Sequence, residues 1–278
     1  MDRSQRLRAF WAWLPVFRVV AETEHLPQAA KILRVSPSSI SRTIRLLEAE
    51  LGHPLFVRQN RELRLSAEGA QFLGSVRDAM RLVDDGLGRL NAQGFSGSLT
   101  VAAPAWLGRR LLAPELLRLS RAHPELQPRL IAPPSSIERA LLRGEMDLVI
   151  AEAPVTGKEI EVVELPSLPL RVYVARSVTP RPQSYLAPAA VSLPKSRPRA
   201  LEADVDVALD LCAAGEVKAL LPAAVARERP SLEAEDEERA GTLRLHALRR
   251  PPLGAEGAVG LILERLKERL TGWARLGR

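Results

Sequence analysis

The chain has 278 residues, room for about two domains at a prior of ~150 residues each. Apolar residues make up 46% and charged residues 26%, a balance that allows a sizeable core and excludes wholesale disorder. The single cysteine, Cys212, excludes a disulfide framework and a CxxC metal site, and no run approaches the ~18 uninterrupted apolar residues of a membrane span. Net charge is +7. Residues 1–66 carry 11 Lys and Arg against 6 Asp and Glu, residues 67–96 carry 3 against 4, and residues 97–278 carry 26 against 23. The excess therefore sits mainly in the N-terminal quarter, a footprint of contact with a polyanion, although an arginine-rich compositional bias gives the same numbers. The apolar stretch from Ala9 to Phe17 is interrupted by Pro15, ended by Arg18 and followed by no small-residue cleavage site. It is not read as a signal peptide, and a reducing, cytoplasmic location is expected.

Leu14 to Glu24 reads as a helix, with Leu14, Phe17, Val20 and Ala21 on one apolar stripe. Pro27 suits the first turn of a second, short helix holding Gln28, Ala29, Ala30, Lys31, Ile32 and Leu33, and the alanine pair lets another helix approach closely. After the turn Arg34-Val35-Ser36, Ser36 and Pro37 form an N-cap and N1 pair for a third helix running to about Glu50. At 100° per residue, Ile40, Ile44, Leu47 and Leu51 share one face, and Ser38, Ser41, Arg42 and Arg45 share the other. Small hydroxyls let a helix sit deep in a major groove, and guanidinium groups supply bidentate donors for guanine edges or phosphates. A solvated basic face on an ordinary surface helix is the alternative, which the helix–turn–helix spacing in front of it disfavours. Gly52 ends the helix. The segments LFVR and LRLS flank a turn containing Asn60 and predict a hairpin whose tip carries Arg58, Gln59, Asn60 and Arg61, a wing able to reach backbone or minor groove.

The run AAKILRVSPSSISRTIRLLEAELGHPLFVRQNRELRLSAEGAQFL resembles the winged helix–turn–helix of LysR-type transcriptional regulators. It carries the alanine pair, the Ser-Pro turn, Ser-Arg-x-Ile, Leu-Glu-x-x-Leu-Gly, Leu-Phe-x-Arg and Leu-Ser-x-x-Gly, densely over residues 14–74. The resemblance implies that Gln28, Ser36, Pro37, Ser38, Ser41, Arg42 and Arg45 face DNA, with Arg58 and Arg61 on the wing. Two positions depart from the family pattern. His25 stands where a serine usually caps the second helix, and Pro27 stands where a hydroxyl often contacts the backbone. Residues 1–13, with Trp11 and Trp13, are additional to the pattern.

Ser66 is an N-cap with Glu68 in the first turn of a following helix. Leu73, Val76, Met80, Val83, Leu87 and Leu90 recur at alternating steps of three and four, a heptad seam that predicts a helix–helix contact between two copies. Packing of the same stripe on its own domain is the alternative. The family uses this segment for dimerisation.

Beyond a linker at residues 93–97, strands are expected at Ser98–Ala103, Leu126–Ala132 and Met146–Ile150, with helices at Leu107–Arg121 and Ile137–Arg143. Pro114 is tolerable only near a first turn or a kink. This alternation implies a parallel α/β sheet. The phrase LLRGEMDLVI resembles the LysR effector domain, whose fold is like that of periplasmic binding proteins. Prolines recur between Pro166 and Pro198, with a crossing strand at Leu170–Ala175. Strands are also expected at Val205–Ala208, Val217–Leu221 and Thr242–Leu248, and a helix at Gly257–Leu270 packing on the first lobe. The acidic run Glu233, Glu235, Asp236, Glu237, Glu238 reads as a solvated loop or helix start.

The whole therefore reads as an α/β protein with three parts. They are a winged helix–turn–helix at 1–66, a linker helix at 67–93 and a two-lobed, periplasmic-binding-protein-like effector domain at 97–278. Lobe I takes 97–165 and 251–278, and lobe II takes 166–250. The four histidines are scattered, and no nucleophile elbow, P-loop or dinucleotide fingerprint is present, so neither an enzyme nor a cofactor or metal is expected. A ligand would sit at the ends of the parallel strands, between Pro104, Ala105 and Trp106 on one wall and Ala151 and Glu152 on the other. Trp106 either plugs the lobe interface or stacks on an uncharged, cationic or aromatic effector. Expected partners are double-stranded palindromic operator DNA, a second copy as homodimer or homotetramer, a small-molecule effector and RNA polymerase, but not a membrane. The alternative is a DNA-binding or assembly protein whose C-terminal domain no longer senses a ligand.

Overall fold

A computed structural model of the chain describes residues 3–59, 62–90, 95–153, 155, 157, 159–188, 191, 201–235, 240–251 and 257–277, with backbone alone at 3–9, 81 and 84–90. The chain divides into two compact units, residues 1–92 with 139–145 and residues 93–138 with 146–278.

The first unit holds α1 (Arg3–Thr23), α2 (Leu26–Leu33), α3 (Pro37–Leu51), the hairpin β1 (Phe56–Gln59) and β2 (Glu62–Leu65), and α4 (Ala67–Leu90). The caps explain the boundaries. Ser36 Oγ accepts the Ser39 N–H at 3.1 Å with Pro37 in the first turn, and Gly52 closes α3 at φ +73. Ser66 Oγ accepts the Gly69 N–H at 2.9 Å and donates to the Pro54 carbonyl at 2.7 Å, capping α4 and pinning the loop before β1. The first helix begins at Arg3 and not at Leu14, so residues 3–13 continue it. Pro15 sits inside α1 and removes one backbone bond, but it and Trp11, whose carbonyl loses that partner, are both exposed. The core is Leu14, Phe17, Val20 and Ala21 of α1, the Ala29–Ala30 pair of α2, Ile40, Ile44 and Leu47 of α3, and Leu55.

That core also takes Leu73 and Val76 of α4, which are 4% and 2% exposed, with Met80 packed at its margin. The expected seam is thus corrected at its N-terminal end. Leu73 and Val76 are covered by the domain's own α1 and are not available to a partner helix. Val83 is 45% exposed, and Leu82 beside it 39%. The side chains of Leu87 and Leu90 lie outside the described residues.

The second unit has two lobes. The first carries β3 (Gly97–Ala102), α5 (Ala105–Leu107), α6 (Ala113–Ala122), β4 (Leu126–Ile131), β5 (Leu148–Ala151) and β6 (Glu161–Glu164), and between β4 and β5 comes α7 (Ile137–Leu142), whose residues from Arg139 on group with the first unit. β3 runs parallel to β4 and β5. A single π turn, Gly108–Leu112, joins α5 to α6 and immediately precedes Pro114 near the start of α6, so the proline falls at an irregularity and not in a regular helix interior. The second lobe carries β7 (Leu168–Ala175), β8 (Tyr185–Ala187), β9 (Leu201–Glu202), α8 (Val205–Ala213), β10 (Lys218–Pro222), α9 (Ala223–Ala226), β11 (Leu232–Ala234) and β12 (Gly241–Leu243). Its sheet is ordered β11-β7-β10-β8-β9, with β12 also on β7. β13 (His246–Arg249) returns antiparallel between β5 and β6, and α10 (Gly257–Leu276) ends the chain.

Three expectations change here. Val205–Ala208 opens a helix and not a strand, because Asp204 caps it, its carboxylate accepting the Asp206 N–H at 2.7 Å. Thr242–Leu248 is two strands, one in each lobe's sheet, so the chain crosses between lobes at residues 244–245. Glu233 lies in β11 and Glu235 is paired with Lys218, while 236–239 lie outside the described residues. One contiguous apolar core runs through both lobes, from Leu99, Val101, Trp106 and Ile150 to Val172, Val205, Leu220 and Leu266.

Candidate DNA-binding face and effector cleft

The buried face of α3 carries Ile40, Ile44 and Leu47, and the opposite face carries Ser38, Arg42 and Arg45, all exposed. Ser41 is half-buried, and Arg45 Nε donates to its carbonyl at 3.3 Å. Ser36, Pro37 and Gln28 are exposed at the helix starts, and Ser36, Ser38 and Ser39 form a hydroxyl cluster at 2.8–2.9 Å. Arg58 is exposed on β1, whereas Arg61 lies outside the described residues. The geometry thus brings Ser36, Ser38, Arg42 and Arg45 onto α3's outward side, with a hairpin following α3.

His25, which departs from the family's serine, still caps α2: its Nδ1 accepts the Gln28 N–H at 3.2 Å. Two carboxylates that the sequence reading passed over hold the wing. Glu48 of α3 accepts the N–H groups of Leu55 and Phe56 at 2.8 and 3.1 Å, at the entry to β1. Glu24 accepts the Leu65 N–H at 2.9 Å and Arg64 Nη1 at 2.7 Å, at the end of β2. Burial pushes the Glu24 carboxyl up, but these bonds and the Arg64 charge outweigh it and hold it below the ordinary range. Glu48 stands in the Leu-Glu-x-x-Leu-Gly motif, which was the available signal for it. Glu24 carried none beyond its place before the His25 cap.

In the second unit, Trp106 is fully buried. Its indole N–H donates to Glu152 at 2.9 Å, and its ring stacks on Trp273 of α10 at 6.5 Å between centroids. Burial lifts the Glu152 carboxyl above its usual value and the Asp204 charge adds to this, with the Trp106 bond only partly opposing them. Of the two expectations for Trp106, this geometry fits the plug and not the open stacking surface, because its edge and face are already occupied from within the chain. Pro104 is half-buried, Ala105 exposed, Ala151 buried beside β13 and Glu152 half-exposed.

The lobes are also clasped. Arg110, in the π turn of the first lobe, has a side chain 5% exposed. It meets Glu228 through Nε and Nη2 at 2.6 and 2.7 Å, Asp206 of α8 through Nη1 at 2.6 Å, and the Trp106 carbonyl at 3.0 Å. Burial works against its charge, but the two carboxylates more than compensate and raise its pKa. Arg109 adds a 2.9 Å bond to Asp206. Cys212 is fully buried, with Sγ 3.2 Å from the Tyr173 carbonyl, and burial pushes its thiol up to about 11, so it carries no reactive thiolate near neutral pH. Among the described residues no three His, Cys, Asp or Glu side chains gather as a metal site, and no helix is long and apolar enough to cross a membrane.

The family profile "Bacterial regulatory helix-turn-helix protein, lysR family" matches residues 11–70, and "LysR substrate binding domain" matches residues 92–192. The chain is 30% identical to the uncharacterized HTH-type transcriptional regulator YcgK of Bacillus subtilis over 188 residues, 66% of this chain and 56% of that protein. It is 32% identical to the HTH-type transcriptional activator IlvY of Salmonella typhimurium over 146 residues, 51% of this chain and 50% of that protein. The chain thus spans about half the length of the curated relatives it matches. The crystal structure of ArgP from Mycobacterium tuberculosis shares the fold with a TM-score of 0.67 at 17% identity, covering 94% of this chain and 97% of that one. With both family profiles matched in order along it, the chain belongs to the LysR-type family of transcriptional regulators.

Proposed function

We propose that the protein is a sequence-specific transcription regulator of the cytoplasm and not an enzyme. In this reading it binds operator DNA as a homo-oligomer, and its C-terminal domain responds to a small molecule. The observation that carries the DNA-binding part is the split of α3 into a buried Ile40-Ile44-Leu47 face and an exposed face bearing Ser38, Arg42 and Arg45, followed by a wing bearing Arg58. Arginine forks on such a helix suit guanine edges, and Arg58 suits phosphate or minor groove. Palindromic operators follow from two-fold symmetry of a dimer, for which Leu82 and Val83 offer exposed apolar surface on α4. The test is a footprint on the DNA flanking the gene: two protected half-sites spaced by about one helical turn or a multiple of it support the reading. An absence of protection at any protein concentration overturns it.

A second reading, that the domain no longer senses an effector, draws support from Trp106. That side chain fills the first wall of the expected cleft and is bonded to Glu152 of the second. The two readings part on one measurement. A ligand that raises the melting temperature of the C-terminal unit and alters the footprint supports sensing. RNA polymerase contact belongs to the proposal only as a consequence of promoter binding.

A further inference from the structure

We infer that Glu24 is a positioning residue for DNA binding: it fixes the wing against the α1–α2 corner and so sets where Arg58 meets the duplex. The inference rests on the reading of α3 and the wing as the DNA-binding face.

Glu24 lies between α1 and α2, outside both, with φ +46. That left-handed conformation disfavours a side chain, and a glycine would adopt it at no steric cost. The strain is offset by what the carboxylate holds. One oxygen accepts the backbone N–H of Leu65, the last residue of β2, and the other accepts Arg64, which is itself paired with Glu62 at 2.7 Å. These two hydrogen bonds from the wing to the corner both end on Glu24. The corner and the wing otherwise face each other across a cleft of about 570 Å³ whose lining includes His25, Pro27 and Arg58. A two-stranded hairpin is marginally stable at best on its own and depends on what it is tied to. Glu48 secures it where it leaves α3, and Glu24 secures it where it returns.

Two consequences separate this role from a general one. Arg64 is engaged by two carboxylates, so among the described wing residues Arg58 is the cation left to meet phosphate. The sign of the effect is also distinctive. Deleting a carboxylate from a DNA-facing surface strengthens binding by simple electrostatics, whereas deleting a tether weakens it.

The test compares the full chain with Glu24→Gly, Arg58→Ala and the double variant. Binding to a short fluorescein-labelled duplex of mixed sequence is read by anisotropy over a salt series, and the Leu65 amide is followed by hydrogen exchange without DNA. Glycine keeps the left-handed backbone, so Glu24→Gly is expected to melt no lower than the wild type. It is expected to expose the Leu65 amide, to weaken binding several-fold and to lower the salt slope by about one. Arg58→Ala is expected to add little on top of it. Glu24→Gln, which keeps an acceptor for Leu65 but loses the charge on Arg64, falls between. Unchanged or tighter binding by Glu24→Gly, or a full Arg58→Ala effect in its background, overturns the inference. If the wild type binds no duplex, the DNA-binding reading fails. The tether is then judged by the Leu65 amide alone, and unchanged exchange in Glu24→Gly refutes it.

Discussion

Val76 and Val83 sit two turns apart on α4, and their substitution by alanine separates what the domain does for itself from what it offers a partner. Val76 is 2% exposed inside the core of the first unit. Truncation removes two buried carbons at ~0.8 kcal/mol each and leaves a small cavity, for a loss of about 2–3 kcal/mol of domain stability. Val83 is 45% exposed, so the same change costs under ~0.5 kcal/mol in the isolated protomer. If α4 pairs with a second copy there, the loss appears instead in the dissociation constant. Urea unfolding followed by hydrogen exchange of peptides covering α1 and α4 reads the first quantity, and sedimentation equilibrium reads the second. The expected pattern is crossed: Val76→Ala lowers protection of α1 and α4 together, while Val83→Ala weakens self-association with protection intact. A Val76→Ala protein that dissociates with an unchanged unfolding midpoint refutes the placement of Val76 in the domain's own core. By the same reasoning Val76→Asp abolishes DNA binding by unfolding the domain, not by splitting a dimer.

Gly69→Ala places a Cβ 2.1 Å from the Leu55 carbonyl oxygen, backbone against backbone, so the α4 cap and wing base must shift; the expected result is loss of cooperative unfolding of the first unit in hydrogen exchange. Arg110→Met removes the buried one of the two guanidinium groups that Asp206 and Glu228 share and leaves them only the exposed Arg109. Because both carboxylates are partly exposed, the expected loss is about 1–3 kcal/mol in the C-terminal unit, read from its urea midpoint and diminishing at high salt. Glu24, with its folded pKa below the unfolded ~4.3, adds stability that is fully present above that value. That contribution disappears as pH falls through the lower folded pKa, so the stability gap between wild type and Glu24→Gln narrows at acid pH.

The third helix, α3, was legible because its determinants are local. Ser36-Pro37 starts it, Gly52 stops it, and apolar residues at 3–4 spacing mark its buried face. The α4 stripe was equally legible as a stripe, but periodicity does not say which helix covers it, and α1 covers Leu73 and Val76 within the chain. Val205–Ala208 alternates apolar and polar like a strand, yet the Asp204 cap and packing on β10 make it helical. Trp106 lay where the ligand wall was expected. Its indole is engaged by Trp273 and Glu152, both distant in sequence, and no local pattern reports such partners. Glu24 and Glu48 were missed for the same reason: their roles are hydrogen bonds to backbone groups elsewhere in the sequence.

The exposed face of α3 is proposed to read DNA, and an Arg42→Ala, Arg45→Ala double variant tests that claim by gel-shift titration on the operator defined by footprinting. Each arginine reading a guanine is worth about 1–3 kcal/mol, so the double variant is expected to lose at least tenfold in affinity for the operator and most of its preference over unrelated duplex, with its melting temperature unchanged. Wild-type affinity and preference in a folded double variant would contradict the claim.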